Sequence, residues 1–235
     1  MLLEYPGLKS VFCGIAGIAT GDNAARLSSD LKKRYPQLKI EIKNDSFNLL
    51  ATCDRADMAI ISGTGSVVFV RKGEEFIRLG GWGYLLEEGG SGYYIGRDAI
   101  YSALMQEEGS LTTTPLYKAV LEKSGKPKVL DAIADLYKGG KKELASFAPL
   151  VFNAADQNDP VAKEILAKNA KAIANLINRA KQLSGMDTVK AVIVGGLMSR
   201  NDLLIPLIKE GLLEGITLDI YTDPPVNGAI NLAMA

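Results

Sequence analysis

The sequence contains no histidine, and this absence narrows the chemistry that the chain could perform. It excludes histidine-based catalytic triads and zinc sites of the His-Glu-x-x-His type, so a general base must come from another side chain, most readily a carboxylate. There are only two cysteines, Cys13 and Cys53, and they do not form a Cys-x-x-Cys motif. This pattern indicates a reduced, cytoplasmic protein with buried thiols.

Long apolar runs and an excess of charge of one sign are also missing. No run approaches the roughly 20 apolar residues that span a membrane. The 27 basic residues balance 27 acidic ones, so net charge does not favour binding to nucleic acid or to an anionic membrane. With 47% apolar residues in 235, the chain has enough core for one large or two small domains.

The first part of the chain alternates between strand and helix patterns. Strands are predicted at 11–17 and 38–42, and helices at 24–35 and 47–53. Strand, helix, strand, helix is the order found in parallel α/β sheets. The fold class predicted from this order is therefore α/β.

A glycine-rich segment, residues 58–98, interrupts this alternation. A strand at 58–61 leads into Gly63-Thr64-Gly65-Ser66, and apolar runs at 67–70 and 76–79 follow. Glycine allows the backbone to come close to a ligand, and hydroxyls with exposed N–H groups suit anionic oxygens. A phosphate-binding hairpin and a tight hairpin without a ligand both fit this stretch.

The second half of the chain is mostly helical, and it begins with what looks like a helical insertion. The sequence predicts helices at 97–107, 112–122, 129–137 and 143–153. The clearest helix follows Asp159-Pro160 and stops at Gly185, with an apolar stripe interrupted only by Asn169; we expect a purely architectural role for it. A strand at 189–194 then ends in Gly195-Gly196, before a helix at 201–210, a strand at 216–221 and a helix at 229–235.

Common nucleotide and metal motifs are absent. Gly125-Lys126 is followed by Pro127, so there is no P-loop, and neither glycine cluster has the third glycine of a dinucleotide fingerprint. Carboxylates and cysteines show no metal-ligand spacing. We therefore expect Mg²⁺ to be held only together with substrate phosphates.

Asp45 is the best candidate for a general base, because it follows an apolar strand and open parallel sheets bind ligands beyond the carboxyl ends of their strands. The alternative is that Asp45 only caps the helix that starts at Ser46. Glu87 and Glu88 lie among aromatic residues in a glycine-rich loop, as in a site for a polyol, although a solvent-facing acidic turn also fits. Trp82 is the only tryptophan, and a core position is its commoner role.

Taken in order, these motifs resemble the BadF/BadG/BcrA/BcrD ATPase family, most closely its N-acetylglucosamine kinases, within the actin-like ATPase superfamily. The likeness runs through nearly the whole chain. It is carried by Gly14-Ile15-Ala16-Gly17, Asn44-Asp45, Gly63-Thr64-Gly65-Ser66, Gly80-Gly81-Trp82-Gly83, Ser91-Gly92-Tyr93-Tyr94-Ile95-Gly96, Val194-Gly195-Gly196 and Pro224-Pro225-Val226-Asn227-Gly228-Ala229.

The resemblance implies an actin-like ATPase (ribonuclease H-like) fold and transfer of the ATP γ-phosphoryl group to an amino sugar, with Mg²⁺, by a homodimer. Residues 1–55 would be the remainder of the first subdomain. Residues 56–235 would be the second, with a helical insertion at about 99–155 and a last helix packing back on the first. Asp45 would be the catalytic base. The resemblance implies that Gly63, Thr64, Gly65, Ser66, Gly195 and Gly196 bind ATP, and that Asn44, Ser66, Val67, Gly81, Trp82, Gly83 and Glu88 border the sugar.

The chain departs from the family pattern in three places. The family begins with an Asp-Gly-Gly-Gly-Thr-Lys-Thr-like phosphate loop that this sequence lacks, so we expect an incomplete first domain, and the activity of this chain alone stays open. Val67 stands where the kinases tend to have asparagine, and Glu88-Gly89 stands where they have Asp-Glu. Two other functions stay open: an ATPase activator of a dehydratase with a cysteine-bound iron–sulfur cluster, and a non-catalytic sugar-binding or dimerising remnant.

Overall fold

The computed structural model describes residues 7–15, 18, 21–52, 56–73, 75–87, 89–221, 224 and 226–234. Two predicted residues of interest, Cys53 and Glu88, lie outside these described residues. The chain divides into two compact units, one formed by Met1–Ala59 with Tyr221–Ala235 and the other by Ile60–Ile220. Within the described ranges, none of the helices combines the length and the apolar character needed to cross a membrane.

The secondary structure alternates at first and then becomes mainly helical. In chain order the elements are β1 (Ser10–Gly14), α1 (Asn23–Arg34), β2 (Lys39–Lys43), α2 (Ser46–Thr52), β3 (Met58–Ser62), β4 (Ser66–Lys72), β5 (Glu75–Gly80), α3 (Gly92–Glu107), α4 (Pro115–Ser124), α5 (Ile133–Ala145), α6 (Ala148–Asp156), α7 (Pro160–Ser184), β6 (Val189–Val194), α8 (Asn201–Glu210), β7 (Ile216–Ile220) and α9 (Val226–Met234).

The first unit is built on a parallel pair of strands, as the sequence predicted. β1 and β2 run in register from Ser10 opposite Lys39 to Gly14 opposite Lys43, and α1 makes the crossover between them. The last helix of the chain, α9, packs on α2 and β1. The side-chain amide of Asn231 on this helix donates a hydrogen bond of 3.0 Å to the Ala51 carbonyl on α2.

The second unit contains a five-stranded sheet in the order β5-β4-β3-β6-β7. β4 and β5 form the predicted antiparallel hairpin, paired from Val67 opposite Gly80 to Lys72 opposite Glu75. β6 and β7 run parallel. Because β3 and β6 are neighbours in the sheet, the glycine turns that follow these two strands come to the same edge.

The long helix α7 forms as the sequence predicted. The Asp159 carboxylate accepts 3.0 Å from the Ala162 N–H as the amino-terminal cap, and Gly185 ends the helix with φ 74°. The other oxygen of Asp159 accepts 2.8 Å from the Leu116 N–H, so the same side chain also fixes the start of α4. α7 buries its apolar face against β4, β5, α6 and α8, and each large side chain fully buried there contributes about 1.5–3 kcal/mol.

The insertion differs from its predicted boundaries. α3 begins at Gly92, five positions before the predicted start at 97. The segment predicted at 129–137 is divided into a short 3-10 turn, Val129–Ala132, and the first part of α5. Gly139-Gly140 interrupts the helical run where the sequence predicted a break: Gly140 takes a non-helical conformation (φ 61°, ψ −151°), so α5 consists of two helical stretches joined at a kink.

Candidate active site

Two glycine turns meet at one edge of the second unit's sheet. A Cβ placed on Gly195 would lie 2.2 Å from the Ser62 carbonyl oxygen, and a Cβ on Gly63 would lie 3.8 Å from the Gly196 nitrogen. Gly195 also has φ 121°, a conformation that L side chains rarely adopt. Only glycine at position 195 therefore allows the turn after β6 to lie against the end of β3.

A cleft of about 300 Å³ opens beside these two turns. One side of the cleft is rich in glycine and consists of Gly63, Thr64, Gly92 and Gly196. The other side is formed by residues of α5 and α6, namely Ala145, Ala148, Pro149 and Phe152, and the segment after β6 adds Leu197, Ser199 and Arg200. The cleft thus places exposed backbone next to an apolar wall. This arrangement suits a ligand with one flat apolar part and one anionic part.

The apolar wall of this cleft was not predicted from the sequence. The insertion helices had been given no part in a site, and small residues such as Ala145 and Ala148 give no chemical signal by themselves. Arg200, at the rim, donates to both carboxylate oxygens of Asp156, at 2.9 and 2.8 Å. Hydrogen bonds to Asp202 and Asp156 raise the pKa of Arg200, so its guanidinium stays charged and is paired with both carboxylates.

The turn after β3 is closed by its own backbone. The Gly63 N–H donates 2.9 Å to the Gly65 carbonyl, and the Gly63 carbonyl accepts 2.7 Å from the N–H of Gly92, the first residue of α3. Thr64 is exposed at the tip and Ser66 is buried at the start of β4. Gly63, Thr64, Gly65 and Ser66 therefore form one compact turn with its hydroxyls at opposite ends.

A second loop, residues 81–91, which we call the aromatic loop, is fastened to this turn by side chains. The Ser62 hydroxyl donates 3.2 Å to the Gly90 carbonyl, and the Ser66 hydroxyl donates 3.3 Å to the Gly89 carbonyl. The Gly90 N–H donates 3.0 Å to Oδ1 of Asn169 on α7. Gly89 and Gly90 both have positive φ, at 148° and 79°, which lets the chain fold back at this point.

Tyr94 on α3 holds the middle of the aromatic loop. Its hydroxyl lies 2.8 Å from the Tyr84 carbonyl oxygen and also contacts the Glu87 carbonyl oxygen, so its one proton is donated between these two acceptors. Burial raises the pKa of Tyr94. The positive charge of Arg97 lowers it by a smaller amount, so the hydroxyl stays protonated and remains a donor. The Arg97 guanidinium lies 4.5 Å from the centre of the Tyr94 ring.

Asn169 lies in the helix for which the sequence predicts a purely architectural role, but its side chain also joins α7 to the aromatic loop. It is only 1% exposed, and besides accepting from Gly90 it donates 3.0 Å to the Ile165 carbonyl and 3.5 Å to Oδ2 of Asp98. Asp98 in turn pairs with Lys168 at 2.9 Å. The available signal was the single polar residue in the otherwise apolar stripe of α7.

The aromatic loop exposes apolar side chains to solvent. Trp82 is 60% exposed, so the expectation of a core position for it was wrong. It lines a second cleft of about 630 Å³ together with Ser66, Gly80, Glu87 and Gly89, opposite the outer face of α7. Glu87 is not a freely solvated acid, because its carboxylate accepts 3.3 Å from the Gly83 N–H.

Two further predicted residues, Gly81 and Val67, lie next to each other at the end of the β4–β5 hairpin. A Cβ on Gly81 would lie 3.1 Å from Cγ2 of Val67 and 2.6 Å from the Arg78 guanidinium. Arg78 donates 2.5 Å to the Gly81 carbonyl. A larger residue at position 81 would therefore have to displace the Arg78 side chain and adopt a backbone conformation, φ 72°, that favours glycine.

Asp45 and Asn44 belong to the first unit, between β2 and α2. The side-chain oxygen of Asn44 accepts 3.1 Å from the Ser46 N–H, so Asn44 caps this helix, and the alternative that assigned the cap to Asp45 was wrong. In the part of the chain that the structure describes, the Asp45 carboxylate has no hydrogen-bond or ion-pair partner. Asp45 thus lies just beyond the carboxyl end of a parallel strand with its carboxylate uncommitted.

Cys13 lies in β1 as a free thiol, and burial raises its pKa. A raised pKa lowers the thiolate fraction, and the thiolate is the form that binds metal. Among the described residues no three cysteine, aspartate or glutamate side chains cluster as a metal site would require. The structure therefore offers no observation in favour of a cysteine-bound iron–sulfur cluster.

Comparisons with known proteins identify the family of the chain. Residues 7–234 match the sequence profile of the BadF/BadG/BcrA/BcrD ATPase family. An N-acetyl-D-glucosamine kinase of Dictyostelium discoideum is 31% identical over 208 residues (82% of this chain and 65% of the relative). An N-acetylmuramic acid/N-acetylglucosamine kinase of Clostridium acetobutylicum is 30% identical over 198 residues (81% and 65%). The chain thus spans about 65% of the length of these curated relatives.

A structural neighbour supports the fold assignment. The structure of a candidate N-acetylglucosamine kinase from Chromobacterium violaceum superposes with a TM-score of 0.71, at 23% identity, covering 99% of this chain and 79% of that one. The predicted α/β fold of the actin-like ATPase type is therefore confirmed.

Proposed function

The chain belongs to the BadF/BadG/BcrA/BcrD ATPase family, and on this premise we propose that the protein is an ATP-dependent kinase that phosphorylates an amino sugar such as N-acetylglucosamine or glucosamine. The observation that carries the proposal is the cleft in which Gly63, Thr64 and Gly196 face an apolar helical wall. The matched relatives from Dictyostelium and Clostridium are named as kinases of N-acetylglucosamine, which supports this class of substrate.

In this proposal the cleft binds ATP. Gly63, Thr64, Gly65 and Ser66 would hold the phosphates through their N–H groups and hydroxyls, and Gly195 and Gly196 would face the adenosine. The residues fit this role because position 195 has no room for a Cβ and the wall beyond it is apolar. Mg²⁺ would be held by the ATP phosphates, and its charge would neutralise theirs during the transfer.

The aromatic loop would border the sugar. It presents an exposed tryptophan and half-buried polar groups, which suit the apolar face and the hydroxyls of a pyranose. The residues proposed to line this side are Asn44, Ser66, Val67, Gly81, Trp82, Gly83 and Glu88. The two structural units would be the two subdomains of the kinase, and we propose a cytoplasmic homodimer.

Asp45 would act as the general base. Its carboxylate would accept the proton of the attacking sugar hydroxyl while that oxygen forms a bond to the γ-phosphorus and the bond from phosphorus to the bridging oxygen of ADP breaks. Phosphoryl transfer depends mainly on positioning and charge neutralisation, so a single carboxylate base is enough. A chain without histidine can therefore carry out this reaction.

The proposal is tested by measuring the transfer of label from γ-³²P-ATP to glucosamine, N-acetylglucosamine and N-acetylmuramic acid by the 235-residue chain. Replacing Asp45 with asparagine should lower turnover by about 10²–10⁴-fold, the usual effect of losing a general base, with little change in sugar affinity. Asp30→Asn, an exposed carboxylate on α1, is the matched control. Absence of labelled sugar phosphate with every sugar would contradict the kinase function, and normal turnover by Asp45→Asn would contradict the role of Asp45.

A further inference from the structure

The insertion helices bring a lysine to the turn after β3. A Cβ built on Gly65 would lie 3.0 Å from Nζ of Lys141 and 3.9 Å from its Cε, so the ammonium group lies in the space beside Gly65 that a side chain there would fill. Lys141 is half-buried. It forms no ion pair with a carboxylate in the described ranges, whereas Lys126 and Lys168 do. An uncompensated cation therefore lies against a glycine turn.

Lys141 is brought to this position by the bend in α5. Gly140 takes φ 61° and ψ −151°, a combination that is essentially restricted to glycine. A Cβ on the preceding Gly139 would lie only 2.4 Å from Cβ of Glu143. Both glycines are thus needed for the helix to change direction immediately before Lys141. Residues 141–145 therefore run in a different direction from the first part of α5.

The same helical turn continues into the wall of the smaller cleft. Ala145, one helical turn after Lys141, lines that cleft, and Ala148 and Phe152 on α6 extend the same wall. Lys141 therefore stands at the glycine-turn end of a wall whose other members are apolar. This placement matches a ligand whose anionic part lies at Gly63–Ser66 and whose flat part lies farther along.

We propose that Lys141 is a phosphate-binding residue, whose ammonium group contacts the phosphate chain of the nucleotide held at the Gly63–Ser66 turn. This inference rests on the proposed function. A lysine suits the role because it is a compact charge with three donors that can follow a phosphate oxygen as its charge changes. During transfer, a cation fixed beside the leaving and transferred groups stabilises the negative charge that develops there.

The first test measures nucleotide binding by calorimetry, with ATP and adenosine compared in parallel. Lys141→Ala should weaken ATP binding about 10- to 100-fold, as expected for loss of a charge-assisted hydrogen bond, while adenosine binding changes less than about twofold. Lys142→Ala, the exposed neighbouring lysine, is the matched control and should alter neither affinity. Lys141→Arg should recover part of the lost ATP affinity, because it keeps the charge.

A second measurement uses the unaltered chain and so does not depend on how the variant folds. ATP should protect Lys141 from acetylation by an amine reagent, as read by mass spectrometry, whereas adenosine should not, and Lys142 should react equally in all samples. Equal losses of ATP and adenosine affinity in Lys141→Ala, or no protection by ATP, would overturn the role of Lys141. If the unaltered chain binds no ATP at all, the proposed function fails first, and this inference fails with it.

Discussion

Replacing Asn169 with alanine removes the side chain that joins α7 to the aromatic loop. The Gly90 N–H, which is buried, would lose the side-chain oxygen to which it donates, and an unsatisfied buried donor costs about 1–3 kcal/mol. The small cavity adds to this, so we expect a loss of roughly 2–3 kcal/mol. For a domain of this size, each kcal/mol lowers Tm by about 2–4 °C, which gives a decrease of roughly 4–12 °C.

The assay is thermal unfolding followed by circular dichroism, with Asn175→Ala as the control. Asn175 is the same residue type on the same helix but is exposed, so its loss should stay within about 0.5 kcal/mol. Under the proposed function, Asn169→Ala should also raise KM for the sugar more than KM for ATP, because the aromatic loop is loosened. Equal Tm values for Asn169→Ala and Asn175→Ala would refute the role of Asn169 in holding the aromatic loop.

A carboxylate at position 169 should make the loss of stability depend on pH in a direction that the contacts of Asn169 define. Asn169→Asp keeps an acceptor for Gly90, but the other oxygen would face the Ile165 carbonyl and the Asp98 carboxylate. Burial and the like charge would raise the pKa of the new carboxyl above the ordinary value of about 3.9. In the unfolded chain this carboxyl ionises near pH 3.9, so the unfavourable effect grows as pH rises from about 3.9 to the raised pKa and is constant above it. The Tm deficit should be larger at pH 8 than at pH 4, and equal deficits would contradict the observed contacts.

Two further substitutions test the other contacts of the site. Tyr94→Phe removes the hydroxyl whose one proton is donated between two loop carbonyls, so it should destabilise the chain by about 1 kcal/mol and raise KM for the sugar. Tyr101→Phe, 62% exposed on the same helix, should change neither quantity. Gly195→Ala adds a Cβ that would lie 2.2 Å from the Ser62 carbonyl and should weaken ATP binding at least tenfold, and unchanged affinity would show that the two turns do not need this contact. Gly196→Ala, whose Cβ would meet nothing within 4 Å, should leave Tm unchanged.

The parts of the fold with strong local signals could be predicted from the sequence. Asp159-Pro160 and Gly185 mark the two ends of α7 because capping chemistry is local. The hairpin of β4 and β5 follows from two apolar runs around a glycine turn. The start of α3 was misplaced because its first residue, Gly92, is held by a hydrogen bond to Gly63, a contact between residues distant in sequence.

The site divides in the same way. Gly63 and Gly196 were identified from the sequence because glycine after a strand implies close backbone approach, and the structure brings them to one cleft. Asn169 and Phe152 were missed because a buried amide and an apolar ring acquire their roles only from what packs against them. The core position that residue type alone favours for Trp82 was wrong because the loop geometry turns this side chain outward.

The hydrogen bonds between the turn after β3 and the aromatic loop have a consequence for substrate synergy. The hydroxyls of Ser62 and Ser66 fasten one loop to the other at two points. A ligand that orders the first loop thereby reduces the entropy that the second must lose when it is occupied. Such cooperativity is reciprocal, so any factor by which the sugar tightens ATP binding must equal the factor by which ATP tightens sugar binding.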